Sequence, residues 1–134
     1  MGFEEKVVLI TGGSSGIGAD AAIHLAKLGA KVSIVGRNAK RLEDVAKQIK
    51  IAGGSTPLEI VADVTKDAKR IVDETINHFG KLDVLLNNAG ITNNGRIQDL
   101  KIKDFDHLFD INVRSVIILT QQCIPHLEKT KGNI

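Results

Sequence analysis

Short runs of branched aliphatic residues alternate along this chain with longer segments whose apolar residues recur every three or four positions. The short runs predict four β-strands, and the longer segments predict four α-helices. The predicted strands cover residues 6–10, 32–35, 57–62 and 82–86. The predicted helices cover residues 17–29, 38–52, 66–79 and, after a polar loop over 87–103, residues 104–129.

This alternation, with strands rich in Val, Ile and Leu, indicates βαβ units and a parallel sheet that helices cover on both faces. We therefore expect the α/β class: a doubly wound, Rossmann-like parallel sheet with three layers, α/β/α, in one domain over residues 1–134. Residues 132–134 are typical of the approach to a fifth strand, so we expect the domain to be incomplete on its C-terminal side, after the fourth helix. The first helix is expected to bury an apolar stripe that begins at Ile17.

Composition narrows the class of protein. The one cysteine, Cys123, forms no internal disulfide, so we interpret it as a small buried hydrophobe and expect a cytoplasmic location. A net charge of +2 without Trp or Tyr argues against a basic, aromatic nucleic-acid surface. No apolar run approaches ~18 residues, so no membrane partner is expected. The four histidines lack metal-ligand spacing, and no metal site is predicted.

A glycine-rich segment, Thr11-Gly12-Gly13-Ser14-Ser15-Gly16-Ile17-Gly18, joins the first predicted strand to the first predicted helix. Gly12 can adopt the positive φ of a sharp turn, Gly16 lets a pyrophosphate approach the backbone, and Gly18 lets the helix lie close to the sheet. The unpaired N–H groups that begin the helix favour an anion. This context predicts a cofactor-binding loop, and the alternative is a glycine-rich turn without a ligand. The candidate cofactor-binding residues here are Gly12, Ser14, Ser15, Gly16, Ile17 and Gly18.

The spacing Gly-x-x-x-Gly-x-Gly, together with Asn87-Asn88-Ala89-Gly90 after the fourth predicted strand, resembles the short-chain dehydrogenase/reductase family. The resemblance covers about residues 6–134. It implies that Asn87 and its neighbours tie the central strands together and that Asn88, Ala89 and Gly90 border the cofactor. Without the resemblance, the same four residues would be a favourable turn.

The end of the second predicted strand bears on the choice of nicotinamide cofactor. The general dinucleotide fold places a carboxylate there to bind the ribose 2′-OH, but this chain has Gly36-Arg37-Asn38. The Arg37 guanidinium suits a 2′-phosphate, and Gly36 is expected to leave room for it. We therefore expect NADP(H) in preference to NAD(H). The alternative for Arg37 is a solvated basic start of the second helix, which is how we interpret Lys40 and Arg41.

Asp63 and Val64 follow the third predicted strand. The resemblance implies that they hold the adenine, by side chain and by backbone. Asp63 could also cap the helix that is predicted to begin near Lys66, and the two roles are compatible.

The resemblance also implies one catalytic residue, Asn112, which would hold a water molecule in a proton relay. Helix context alone favours a buried, hydrogen-bonded amide. The family's remaining catalytic residues, a Ser and Tyr-x-x-x-Lys, would lie beyond Ile134, and the chain contains no Tyr. Hydride transfer to a carbonyl needs a positioned acid, so no turnover is expected from this chain alone.

Two functions compete at this level. In the first, the chain is an N-terminal fragment of an NADP(H)-dependent oxidoreductase that interconverts small-molecule alcohols and carbonyl compounds. In the second, it is a complete, non-catalytic dinucleotide-binding protein that acts as a redox sensor or subunit partner. The predicted helix over 104–129 is apolar on more than one side, and the resemblance implies that it pairs with its copy in a homo-oligomer. In the strand order 3-2-1-4-5-6, the fourth strand would be an open edge.

Overall fold

The computed structural model describes residues 2–134 and places a parallel sheet at the centre of the molecule. The strands are β1 (Val7–Thr11), β2 (Lys31–Gly36), β3 (Leu58–Val61) and β4 (Val84–Leu86). The helices are α1 (Gly16–Lys27), α2 (Ala39–Ile51), α3 (Ala68–Phe79), α4 (Ile102–Phe109) and α5 (Ser115–Thr130). The four-stranded sheet has the order β3-β2-β1-β4, which confirms the predicted Rossmann-like α/β fold.

Alternate residues of each central strand face opposite sides of the sheet, and each side has its own core. Val8 and Ile10 of β1 belong to a cluster with residues of α1 and α2, whereas Val7 and Leu9 belong to a second cluster with residues of α3 and α5. The helices therefore form the two outer layers of an α/β/α sandwich. Cys123 lies in the second cluster, where burial raises the pKa of its thiol to about 12, as fits a small buried hydrophobe.

The buried stripe of α1 differs from the predicted one. Ile17 is 81% exposed, and the buried residues of this helix are Gly18, Ala19, Ala22 and Ala26. The prediction placed the large apolar side chain of Ile17 in the core. It is exposed because α1 lies so close to the strands that only small residues fit between them.

The predicted helix over 104–129 is longer and is not uniform. The structure has α4 from Ile102, a π-helical turn over Asp110–Arg114, and α5 to Thr130. A 3₁₀ turn, Ile97–Asp99, interrupts the predicted loop before it. The other predicted elements match the observed ones within two residues at most boundaries. Within residues 2–134, no helix combines the length and apolar content that crossing a membrane requires.

The outer edge of β4 is partly covered, which corrects the prediction of an open edge. Asn133 forms a parallel bridge with Val84: its N–H donates to the Asp83 carbonyl at 2.9 Å, and its carbonyl accepts from the Leu85 N–H at 3.0 Å. The segment over 132–134 therefore lies where a fifth strand is predicted to begin.

Candidate functional site

A cleft of about 250 Å³ lies at the carboxyl ends of the strands. Its walls are the loops that follow all four strands, where ligands bind in doubly wound sheets. Eight of the predicted site residues line it: Gly12, Ser14, Ser15, Arg37, Asp63, Val64, Ala89 and Gly90. The predicted residues Gly16, Ile17, Gly18, Asn88 and Asn112 do not line it, although most of them adjoin residues that do.

The glycine loop and the loop after β4 hold each other in place. The Asn88 side-chain amide donates to the carbonyls of Thr11 and Gly12, at 3.1 and 3.3 Å. The Thr11 hydroxyl accepts from the backbone N–H groups of Asn88 and Ala89, both at 3.0 Å. These bonds join the end of β1 to the end of β4. Asn88 thus makes the strand-tying contacts, while the Asn87 side chain donates to Thr120 of α5 at 3.2 Å.

Gly16 and Gly18 are glycines for different reasons. A Cβ on Gly18 would overlap the Gly12 carbonyl and the Asn88 amide, so this glycine allows α1 to approach the end of β1. Gly16 has a φ of +53°, and a Cβ there would meet no atom within 4 Å. Gly16 therefore opens onto free space in front of the N-terminus of α1, where an anion can approach the N–H groups.

Ser14 occupies the space beside Gly36 in which a side chain would otherwise lie. A Cβ on Gly36 would lie 2.8 Å from Ser14 Cβ and 2.9 Å from its Oγ. The expectation that Gly36 leaves room for a cofactor phosphate is therefore wrong, because the serine of the glycine loop occupies that room. Gly36 instead brings Ser14 to the end of β2, next in sequence to Arg37.

Asp63 closes a turn that comes before α3. Its Oδ1 accepts from the Thr65 N–H at 2.9 Å and from the Thr65 hydroxyl at 2.6 Å. These bonds lower the pKa of Asp63 against the opposing effect of burial, and the charges of Lys66 and Arg37 act in the same direction. The helix itself begins later than predicted, at Ala68, with Asp67 at its N-cap. The predicted capping role is therefore wrong for α3, and Asp63 remains in the cleft wall.

Asn112 lies in the π-helical turn and is exposed, so it is not the buried core amide that helix context favours. Its Oδ1 accepts from the Ile91 N–H at 2.9 Å, and its Nδ2 donates to the Ile91 carbonyl at 2.8 Å. The side chain thus pairs with a backbone segment as a strand would. Ile91 lines the cleft, so Asn112 fixes the cleft wall that follows Gly90.

The structure adds residues to the site that the sequence did not single out. Asn38, Arg41, Ile91 and Ile111 also line the cleft. Asn38 is the N-cap of α2, and its side chain accepts from the Arg41 N–H at 3.0 Å. A capping residue three positions before Arg41 was the available signal that Arg41 lies at the very start of a helix that faces the site.

A glycine-rich turn from a strand into a helix, facing a cleft at the carboxyl end of a parallel sheet, defines the class of dinucleotide-binding α/β proteins. The model of one family, described as short chain dehydrogenase, matches residues 6–134. The chain belongs to this family.

Individual proteins agree with this assignment. The chain is 46% identical over 132 residues to 11-beta-hydroxysteroid dehydrogenase-like 2 of Arabidopsis thaliana, covering 96% of this chain and 43% of that protein. It is 40% identical to an uncharacterized oxidoreductase of Thermotoga maritima, covering 100% of this chain and 53% of that protein. The chain thus spans about half the length of these curated relatives.

Solved structures have the same fold. The apo form of glucose dehydrogenase of Caenorhabditis elegans superimposes with a TM-score of 0.89 at 45% identity, over 99% of this chain and 55% of that chain. A metagenomic short-chain oxidoreductase in complex with NADP gives a TM-score of 0.90 at 28% identity, over 98% of this chain and 60% of that chain.

Proposed function

We propose that this chain is the cofactor-binding part of an NADP(H)-dependent oxidoreductase that interconverts small-molecule alcohols and carbonyl compounds. The observation that carries the proposal is the juxtaposition, in one cleft, of the glycine loop with Arg37 at the end of β2. The strand end at this point offers a guanidinium where NAD-dependent proteins of this fold have a carboxylate. Because NADP(H) differs from NAD(H) only by the 2′-phosphate, this position decides between them.

The residues present fit the cofactor. The free space at Gly16 lies at the start of α1, and Ser15, the N-cap of that helix, makes no capping bond with its side chain. The N–H groups of the first turn can therefore donate to a pyrophosphate. Asp63 and Val64, across the cleft, would border the adenine, and Ala89 and Gly90 would border the nicotinamide half. When bound, the cofactor supplies or accepts the hydride.

Asn112 has a positioning role that its contacts support. Its two bonds to Ile91 hold the backbone next to Gly90 in a fixed place. The relay water implied by the resemblance would then lie against a backbone segment that these two hydrogen bonds hold in place. Because the chain has no Tyr to donate a proton to the developing alkoxide, we expect the isolated chain to bind NADPH without oxidising it in the presence of aldehydes or ketones.

The exposed apolar residues of the long helical segment support a homo-oligomer. A groove of about 670 Å³ along α4 and α5 is larger than the cofactor cleft and shares no lining residue with it. Its apolar lining residues are Phe109, Val113, Ile117 and Ile118. We propose that this groove pairs with a second copy rather than with a cofactor, because it offers no glycine loop or backbone donors for phosphate. The cytoplasmic location stays a prediction from the cysteine content.

The test is equilibrium binding of NADPH and NADH to the purified chain, followed by the fluorescence of the reduced cofactor, which no Trp of this chain obscures. We expect NADPH to bind more tightly than NADH. Arg37→Asp should reverse this order, because the carboxylate repels the 2′-phosphate and accepts from the 2′-OH. Lys50→Asp is the matched control, since it makes the same charge change at the other end of α2. Equal affinities for the two cofactors in the unmutated chain would overturn the assignment of Arg37.

A further inference from the structure

Two neighbouring cations in the first turn of α2 have different surroundings. Lys40 donates to Asp44 Oδ1 at 2.8 Å, one turn along the helix, and does not line the cleft. Arg41 lines the cleft, and within residues 2–134 its guanidinium takes part in no ion pair or side-chain hydrogen bond. The Lys40 charge is thus paired within the helix, whereas the Arg41 charge is available to a ligand.

The backbone of Arg41 is fixed at the cleft. Asn38, which also lines the cleft, accepts with its side chain from the Arg41 N–H at 3.0 Å and so closes the first turn of α2. Arg37 is four residues earlier and lines the same cleft. The two arginines therefore border one cleft, Arg37 from the end of β2 and Arg41 from the first turn of α2.

The charges at this end of the cleft are unbalanced. Asp63 is the one carboxylate among the lining residues, and its Oδ1 is occupied by Thr65. Ser14 lies against Gly36 at the same strand end and adds a hydroxyl. Two arginines and a serine that line one cleft suit a phosphate monoester, which carries close to two negative charges at neutral pH.

We propose that Arg41, and not Lys40, is a second specificity-determining residue of this site and binds the 2′-phosphate of the cofactor together with Arg37. The inference rests on the proposed NADP(H) function and goes beyond it, because that function needs Arg37 alone. It also replaces the interpretation of Arg41 as part of a solvated helix start.

Arg41→Gln and Lys40→Gln form a matched pair: each removes one positive charge from the same turn, and Gln has a helix propensity close to that of both residues. Binding of NADPH, NADH and adenosine 2′,5′-bisphosphate is measured by calorimetry for each variant and for the unmutated chain. We expect Arg41→Gln to raise the Kd of NADPH and of the bisphosphate by between about tenfold and a hundredfold, as for a lost charged hydrogen bond, and to leave the Kd of NADH within about twofold. Lys40→Gln should leave all three nearly unchanged.

The inference is wrong if Arg41→Gln leaves the Kd of NADPH unchanged, weakens NADPH and NADH equally, or has the same effect as Lys40→Gln. In each of these cases the proposed function stands as long as the unmutated chain prefers NADPH. If the unmutated chain binds neither cofactor, the proposed function fails and this inference fails with it.

Discussion

At the scale of single residues, two glycines of the loop have different roles: Gly18 is required by packing, and Gly16 serves the proposed binding of the cofactor. Gly18 is needed because Gly12 and Asn88 occupy the space of a Cβ. Gly16 adopts a positive φ, and the space in front of it is open, where we propose that the pyrophosphate binds. The spacing of the glycines predicted the close approach at Gly18, which the contacts there confirm, whereas the binding role of Gly16 stays a prediction. It could not predict that Ser14 fills the space at Gly36, because that contact joins two separate loops.

Gly18→Ala and Gly16→Val should therefore fail in different ways. Gly18→Ala forces α1 away from β1, which should cost about 1–3 kcal/mol and lower the Tm by roughly 5–10 °C. Gly16→Val should abolish NADPH binding while the far-UV circular dichroism remains native. Its strain control is Gly53→Val, which also has a positive φ and open space but is the residue that follows α2 and its C-cap. Normal NADPH binding by Gly16→Val would mean that the loop is only a turn.

Asp83 is buried next to the first residues of β1 and β4. Its Oδ2 accepts from the Val7 N–H at 2.8 Å, and Lys81 and Lys6 lie 3.1 and 3.7 Å away. Burial raises the pKa of Asp83, but the Val7 and Lys81 hydrogen bonds and the two lysine charges outweigh it, so the pKa is lowered on balance.

A lowered pKa in the folded state means that Asp83 stabilises the fold above its unfolded pKa of about 3.9, and that this stability is lost as the pH falls through the folded value. Asp83→Ala should therefore cost about 2 kcal/mol at pH 7, because the Val7 N–H loses a charged acceptor. Urea unfolding at pH 7 and below pH 4 measures the difference. If the difference in unfolding free energy between the unmutated chain and Asp83→Ala grows as the pH falls, the Asp83 carboxylate is not the source of this stability.

At the scale of elements, the sequence predicted the existence and type of every main helix and strand, but not their details. Hydrophobic periodicity depends on which residues are apolar, so it assigned Ile17 to the core of α1, although the close approach of that helix selects Gly and Ala instead. Periodicity also treated residues 104–129 as one regular helix. The π-helical turn carries Asn112, whose side chain pairs with the backbone of Ile91, a tertiary contact that no local pattern encodes.

The long helical segment has an exposed apolar face, which we define as Phe105, Phe109, Val113, Ile117, Ile118 and Ile124. The opposite side, with Ile111, Leu119, Cys123 and Leu127, is buried within the chain itself. A helix that is apolar on both sides is covered on both sides in a stable protein.

Ile117→Asp should therefore weaken self-association of the purified chain, measured by sedimentation velocity over a range of micromolar concentrations. Ile51→Asp is the matched control, because Ile51 is 87% exposed and lies at the end of α2, outside this face. An unmutated chain that sediments as a monomer throughout would refute pairing through this face. Equal effects of the two substitutions would show that association is not specific to it.

At the scale of the whole molecule, the layer arrangement was predictable because right-handed βαβ units cover both faces of a parallel sheet with helices. The order β3-β2-β1-β4 is that of the dinucleotide-binding sheets to which the glycine loop points, since handedness alone also allows other orders. The location of the site followed from the same rule, since ligands bind at the carboxyl ends of the strands. Two features of the molecule were not predictable. Asn38 signals the start of a helix but not that Arg41 lies in the cleft wall, which depends on how that helix packs, and the edge of β4 is covered by Asn133, whose partner is 49 positions earlier at Val84.

The central claim is that one cleft holds both the pyrophosphate and the 2′-phosphate of NADP(H). The most direct measurement is phosphorus NMR of NADP⁺ titrated with the purified chain, because the two kinds of phosphate give separate signals. We expect the pyrophosphate and 2′-phosphate resonances both to shift and broaden, with the 2′-phosphate response lost in Arg37→Asp. Resonances that remain at their free positions, or a 2′-phosphate signal that does not respond while the pyrophosphate signal does, would contradict the claim.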